Sequence, residues 1–321
     1  MAEPILNQPH FQDADKAREY LEALRWVNGV VCPHCGVIDG HYKLQGKSTR
    51  PGVCKCGACS EQFTVAVGTV FERSKIKLNI WLQAVHLMSA SKKGVFAKQI
   101  ERMLGVSYNT AWFMCHRIHE AMTPNHYSKM GGPNSIVEAD ETYWGNNEAA
   151  KTQHGAKMKI VSLVERETGQ KRSFHVANVT SETLRHTLKS QVHHETHLMT
   201  DESNVYTKVG RQFAQHSTVN HGNKEYAHGN VTSNTVESSF AMLKRGLTGT
   251  FHSVSERHLQ RYVAEFDFRW NFRSANGFND VERADAALKG IMSKRLTYRR
   301  TNGEQPPTFE SLVAKLISKN G

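Results

Sequence analysis

Five of the six cysteines lie between Cys32 and Cys59, and four of them form two knuckles, Cys32-Pro-His-Cys35 and Cys56-Gly-Ala-Cys59, with 20 residues between them. Two C-x2-C turns at this separation can wrap four thiolates around one tetrahedral Zn2+, and they predict a zinc ribbon. A site with four protein ligands leaves no open coordination position, so its expected role is structural. Cys54 and His34 lie in the same loops and are rival ligands. A cluster this local cannot staple a long chain, which argues against a disulfide framework.

The 321 residues carry 41 Lys and Arg against 30 Asp and Glu, a net charge of +11 that favours an anionic polymer or surface as partner. No apolar run is long enough to span a bilayer, and the start "MAEPILNQPH" has neither a basic segment nor an apolar leader core. These features predict a soluble cytoplasmic protein with no membrane partner. "DKAREYLEALRW" has helical periodicity ahead of the knuckles, and "IWLQAVHLMSAS" (80–91) has it behind them. In "VFAKQIERMLGVSYNTAWFMCHRIHEAM" (95–122) two periodic segments flank "LGVS", a helix-turn-helix pattern. Ser107, Tyr108, Asn109 and Thr110 open its second helix, where contacts to base edges usually originate. Lys92, Lys93, Arg117, Lys244, Arg245, Arg269 and Arg273 are candidates for phosphate contact. "TPNHYSKMGGPN" (123–134) reads as a linker. Both recognition modules precede it, so residues 1–125 are expected to bind DNA alone.

Beyond the linker the order is three strands, helix, strand, helix, strand, helix, a mixed α/β arrangement in which a meander continues through crossovers. "SNTVESSFAMLKRGL" (233–247) reads as a capped helix, and "SVSERHLQRYVAEFDFRWNFR" (253–273) as an amphipathic one with a basic end. "HHETH" (193–197) lacks the Glu placement of a metalloprotease helix and reads as a polar loop.

Within "SIVEADETYWGN" (135–146), Glu138, Asp140 and Glu141 crowd an apolar strand, where unpaired charge costs several kcal/mol. A bound divalent cation is the expected counter-charge. Alternation puts Glu138 and Asp140 on one face and Glu141 on the other, and Asp140 is the better-placed ligand. Asp201 ends a later strand, and Glu237 lies in the first turns of a helix. Acids from three elements can converge as Mg2+ or Mn2+ requires. Asn234 and Lys244 share the helix face of Glu237, offering a neutral oxygen and a cation for phosphate.

"ADETYWG", "TDESNVY" and "TSNTVESSFAMLKRGLTGTFHSVSERHLQRYVAEFDFRWNFR", with "CPHCG", "CGACSEQFTVAVGTVF" and "LGVSYNTAW" upstream, resemble bacterial insertion-sequence transposases that join a zinc ribbon to an RNase H-like DDE domain. The resemblance implies an α/β fold, an RNase H-like mixed sheet flanked by helices, preceded by the zinc ribbon and a helix-turn-helix region. The implied domains are 1–72 (helix and ribbon), 73–123 (helix-turn-helix), 124–134 (linker), 135–280 (catalytic) and 281–321 (basic tail). Asp140 and Asp201 match the family's first two acids, and the third is Glu237 or Asn234, since relatives differ there. The zinc ligands become Cys32, Cys35, Cys56 and Cys59. Two Mg2+ or Mn2+ ions would serve cleavage and strand transfer at element ends, by a homodimer or higher oligomer on DNA in a prokaryotic nucleoid. The competing readings are a DNA-binding regulator with an inactive catalytic fold, and a nuclease without strand transfer.

Overall fold

A computed structural model describes residues 3–145, 157–219 and 232–297. Contacts divide these residues into two compact units, the first running up to Asn125 and resuming at Gly277, the second spanning His126–Asn276.

The first unit opens with α1 (Pro9–Gln12) and α2 (Ala14–Arg25), the latter capped by Asp13, whose carboxylate accepts from the Asp15 and Lys16 amides. A small antiparallel sheet of β1 (His41–Lys43), β2 (Cys54–Cys56) and β3 (Gln62–Phe63) carries the second knuckle. Helices α3 (Leu78–Ala90), α4 (Ala97–Leu104) and α5 (Tyr108–Met122) follow. Gly105 ends α4 at φ +64°, a left-handed conformation that glycine adopts without a Cβ penalty, and Ser107 then caps α5 through the Thr110 amide. The expected turn between two helices is therefore present, and each half of it has its own stop or start signal.

Two expectations change in this unit. Arg117 was expected at a phosphate, yet α5 is buried on nearly all sides from Met114 onward. The Arg117 guanidinium stacks over Phe113 and donates to the Glu72 carbonyl at 3.3 Å, which makes it an internal strut. Residues 281–297 were expected as a basic tail, yet α10 (Asp280–Lys289) packs on α3 with Ala287 and Leu288 buried. Asn279 and Glu282 close its capping box, Arg283 donates to the Ser89 carbonyl at 3.0 Å, and Tyr20 donates to Asp285 at 2.6 Å. The rest of the expected tail, 298–321, lies outside the described residues.

The second unit is built on a mixed sheet of β4 (Ile136–Trp144), β5 (Met158–Glu165), β6 (Lys171–Val176), β7 (His197–Asp201) and β8 (Gln215–Val219), in the order β6-β5-β4-β7-β8. β4, β5 and β6 form an antiparallel meander, while β7 and β8 run parallel to β4. That order, with helices on both faces, is the RNase H-like fold expected from the sequence. One face packs on α6 (Ser181–Gln191) and α7 (Asn204–Gly210) through Val137, Ala139, Val161, Leu184, Leu188 and Tyr206. Ile160 and Val164 on the other face meet α8 (Asn234–Gly246) and α9 (Glu256–Asn271). The boundary at 125/126 falls inside the expected linker. Its later part is already structural, since Met130 is buried and exchanges backbone hydrogen bonds with Gln191 and His193.

α9 also covers the outer edge of β6. Asn271 accepts from the Lys171 amide at 2.7 Å and donates to the Lys171 carbonyl at 3.0 Å. Asp267 takes the Ser173 amide, and Gln260 takes the His175 amide while donating to the Ser173 carbonyl. Three side chains on one helix face thus satisfy an edge that would otherwise template strand addition. Asp267 is held in turn by Lys171 at 3.4 Å, a buried ion pair in which burial raises the acid's pKa and lowers the lysine's.

Candidate active site

The β4–β7 register decides where the first two acids meet. Ile136 pairs with His197, Val137 with Leu198 and Glu138 with Met199, after which the ladder stops. Continuing the same 61-residue offset sets Asp140 level with Asp201 on the adjacent strand. The pair therefore stands where two parallel strands cease to bond, at the C-terminal end of β7.

The electrostatics agree. Burial, with the charges of Glu141, Asp201 and Glu237 adding to it and the Glu141 amide opposing it, pushes the Asp140 carboxyl up to about 7. That amide donates to Asp140 at 2.7 Å. Asp201 accepts from the Ser203 amide at 3.1 Å, which fixes the turn into α7. Glu237, half-buried in the first turn of α8, accepts from the Ser233 hydroxyl at 2.6 Å. Carboxylates from two further elements, Asp201 on β7 and Glu237 on α8, thus act on Asp140. Asn234 and Lys244, expected beside them, are exposed on α8, as is Arg245.

A cation is not the counter-charge for the whole acidic stretch, contrary to the sequence expectation. Glu138 is fully buried, and its partners are Arg166 and the start of α8. Glu141 lies on the opposite face, as alternation requires, and accepts from the buried Tyr206 hydroxyl at 2.7 Å. Burial raises the Glu141 pKa, and burial together with the Glu141 contact raises that of Tyr206. Asp140 is left facing Asp201 and Glu237. The Glu138 and Glu141 partners lie 28 and 65 residues away in sequence, so no local pattern announced them.

The other candidate residues fall as follows. Ser107, Tyr108 and Asn109 are exposed at the start of α5 and Thr110 is partly so, while Lys92 and Lys93 are exposed after α3. Lys98 lies over the Tyr108 ring, 5.3 Å from its centre. Arg269, proposed for phosphate contact, is buried and paired with Glu265 at 2.6 Å. Arg273 stacks on Trp270 at 3.9 Å.

In the ribbon the sulfurs of Cys32, Cys35, Cys56 and Cys59 all lie within 4.8 Å of one another, and no other such group of potential ligands occurs among the described residues. The Cys32–Cys59 and Cys35–Cys56 sulfurs are 3.7 and 3.6 Å apart. A tetrahedral zinc with Zn–S bonds of about 2.3 Å needs sulfurs about 3.8 Å apart, so the donor set fits. Backbone amides of Cys59 and Ala58 bring the Cys56 thiol down to about 6. Against the Glu61 amide, burial and the neighbouring thiols push Cys59 up to about 12. Four thiolates cannot all be charged here without a cation among them. Cys54 is buried outside the group, and His34 does not join it.

Residues 130–271 match the family model of the ISXO2-like transposase domain, and residues 12–62 match the transposase zinc-ribbon domain, in the order the sequence implied. The chain belongs to the insertion-sequence transposase family. An uncharacterised protein in transposable element ISH50 of Halobacterium salinarum is 27% identical to this transposase over 282 residues, covering 81% of this chain and 91% of that one. Solved structures show fainter likeness. A simian T-cell lymphotropic virus intasome in complex with the PP2A regulatory subunit B56 gamma matches at 15% identity and TM-score 0.29, over 50% of this chain and 61% of that chain. This transposase therefore spans less than two thirds of that viral chain. The HTLV-2 integrase catalytic core in complex with magnesium, in its trimeric form, matches at 16% identity and TM-score 0.30, over 48% of this chain and 98% of that one. At these TM-scores the strand order, and not the likeness, carries the fold. No helix among the described residues is long and apolar enough to cross a membrane.

Proposed function

We propose that this transposase cleaves DNA at the ends of its insertion sequence and joins the freed 3′ ends to target DNA, with Asp140, Asp201 and Glu237 holding two Mg2+ or Mn2+ ions. The observation that carries the reading is the placement of Asp140 level with Asp201 and within electrostatic reach of Glu237, with its carboxyl pushed up to about 7. A carboxyl perturbed by burial and by neighbouring like charges is poised for a cation. The ions would supply charge stabilisation of the entering and leaving oxygens of an in-line displacement. Asp140 and Asp201 fix one side of the reacting phosphate from the sheet, and Glu237 fixes the other from α8. In the first reaction a water oxygen bonds to phosphorus, the P–O3′ bond breaks, and a 3′-hydroxyl leaves. In the second that hydroxyl attacks a target phosphorus and displaces another 3′-oxygen.

Glu237 is favoured over Asn234 as third ligand because it is half-buried and couples to Asp140, whereas Asn234 is exposed. Lys244 and Arg245, exposed two turns on, are proposed phosphate contacts. Ser107, Tyr108, Asn109, Thr110, Lys92 and Lys93 are proposed to read or grip the element ends, and the ribbon zinc is proposed as structural. Two ends cut together ask for at least a dimer on DNA. The test is a strand-transfer assay on supercoiled plasmid carrying the element ends. The wild type should cleave and join with Mg2+, and Asp201→Asn should do neither. Full cleavage by Asp201→Asn would refute the mechanism, while wild-type cleavage without joining would leave a nuclease.

A further inference from the structure

Glu138 has no lone pair to spare for a metal. Arg166 Nε at 2.6 Å and the Thr235 hydroxyl at 3.0 Å donate to Oε1, while the Thr235 and Val236 amides, each at 3.0 Å, donate to Oε2. Four donors fill the four acceptor positions of a carboxylate. Arg166 reaches past it and donates through Nη2 to the Thr232 carbonyl at 2.6 Å.

α8 starts without a side-chain cap of its own, because Ser233 at the N-cap turns its hydroxyl toward Glu237 instead. The carboxylate from β4 supplies what the helix lacks: acceptors for two orphan amides and a negative charge at the positive end of a 13-residue helix. The tie is also a ruler. Glu138 precedes Asp140 by two residues on β4, and the amides it holds belong to the two residues just before Glu237. A slip of α8 by one residue would turn Glu237 about 100° away from the sheet.

We propose that Glu138 and Arg166 are positioning residues that lock the register of α8 on β4 and so bring Glu237 to Asp140. The proposal rests on the metal-dependent reading above. Neither residue touches DNA or metal; both act through the helix.

The test uses the full chain and three readouts: Mn2+ binding without DNA, followed by the paramagnetic resonance of free Mn2+; hydrogen exchange across residues 232–240; and the Mn2+ dependence of cleavage. Glu138→Asp keeps the charge but shortens the reach by one methylene. It should weaken the Mn2+ site that Asp140→Asn abolishes by about tenfold or more, a typical loss when the supports of metal ligands are removed. Cleavage should recover at high Mn2+, and the Thr235 and Val236 amides should exchange faster while β5 keeps its protection. Glu138→Gln alone removes the counter-charge of the half-buried Arg166 guanidinium and can fail to fold, so the paired change Glu138→Gln with Arg166→Met removes both charges together. A folded double variant with wild-type Mn2+ affinity and metal dependence would overturn the proposal. If Asp140→Asn itself binds Mn2+ and cleaves normally, the metal-dependent reading falls and the positioning role falls with it. A dead Asp140→Asn beside Glu138 variants that behave as wild type would remove the positioning role alone.

Discussion

Asp140→Asn should stabilise the second unit in the absence of Mg2+ and Mn2+, by an amount that grows with pH. The carboxyl moves from an ordinary 3.8 to about 7 on folding. The folded state therefore holds its proton more tightly than the unfolded chain, and the wild type loses stability as pH rises from about 4 through about 7. Three units at about 1.4 kcal/mol each set a ceiling of about 4 kcal/mol above pH 7, and the partial exposure of Asp140 lowers the expectation to about 2–4 kcal/mol. Between pH 5.5 and 8.5 the gap between variant and wild type should widen by about 2 kcal/mol. Asn keeps a carbonyl oxygen for the Glu141 amide, so the contact at 2.7 Å survives and the charge is what changes. The assay is native-state hydrogen exchange of the β4 and β7 amides, corrected for the intrinsic pH dependence of exchange, which isolates this unit from the ribbon. Added Mg2+ should protect the wild type and leave the variant unmoved, closing the gap. A variant less stable than wild type at pH 8.5, or a gap that does not change with pH, would refute the argument that burial and like charge raise the Asp140 pKa on folding.

Three further outcomes are expected. Metal analysis should find about one zinc per chain in the wild type and in Cys54→Ser, and none when Cys32 and Cys59 are both changed to Ser, because Cys54 stands outside the sulfur group. Asn271→Ala should cost about 1–3 kcal/mol, the price of stranding the Lys171 amide and carbonyl, and should promote self-association through β6, read by denaturant melts and light scattering. Residues 1–125 alone should melt early and bind DNA poorly, whereas the same fragment linked to residues 277–297 should melt cooperatively and bind with the steep salt dependence of phosphate contact.

The sheet was legible because β-branched runs such as "MKIVSLVER" and "KRSFHVANV" are bounded by turn residues, and β5 and β6 formed there. The separation of Asp140 and Asp201, uninformative as a number in the sequence, turns out to be the strand register. The four-sulfur group was legible because each knuckle is local. Charges with remote partners were not legible: Glu138, Glu141 and Arg117 look like site or surface residues until Arg166, Tyr206 and the Glu72 carbonyl are found beside them. α9 misled for a related reason. Its Gln260, Asp267 and Asn271 read as an ordinary polar face, yet they serve a strand edge that no helical pattern foretells.

α10 has a consequence for how the protein is made. Its Leu288, the nearby Ile291 and the backbone of 291–293 complete the first unit, with Ile291 accepting from the Val70 amide and Ser293 donating to the Gly68 carbonyl. A ribosome releases these residues only after the whole catalytic unit has emerged. The proposed DNA-reading half would then remain unfinished while the proposed cutting half is already able to fold, and the two would become competent together only in a chain translated past about residue 297. On the proposed function, a message broken or frameshifted inside residues 126–276 would yield a first unit without α10, poorly able to occupy the ends that its intact relatives use.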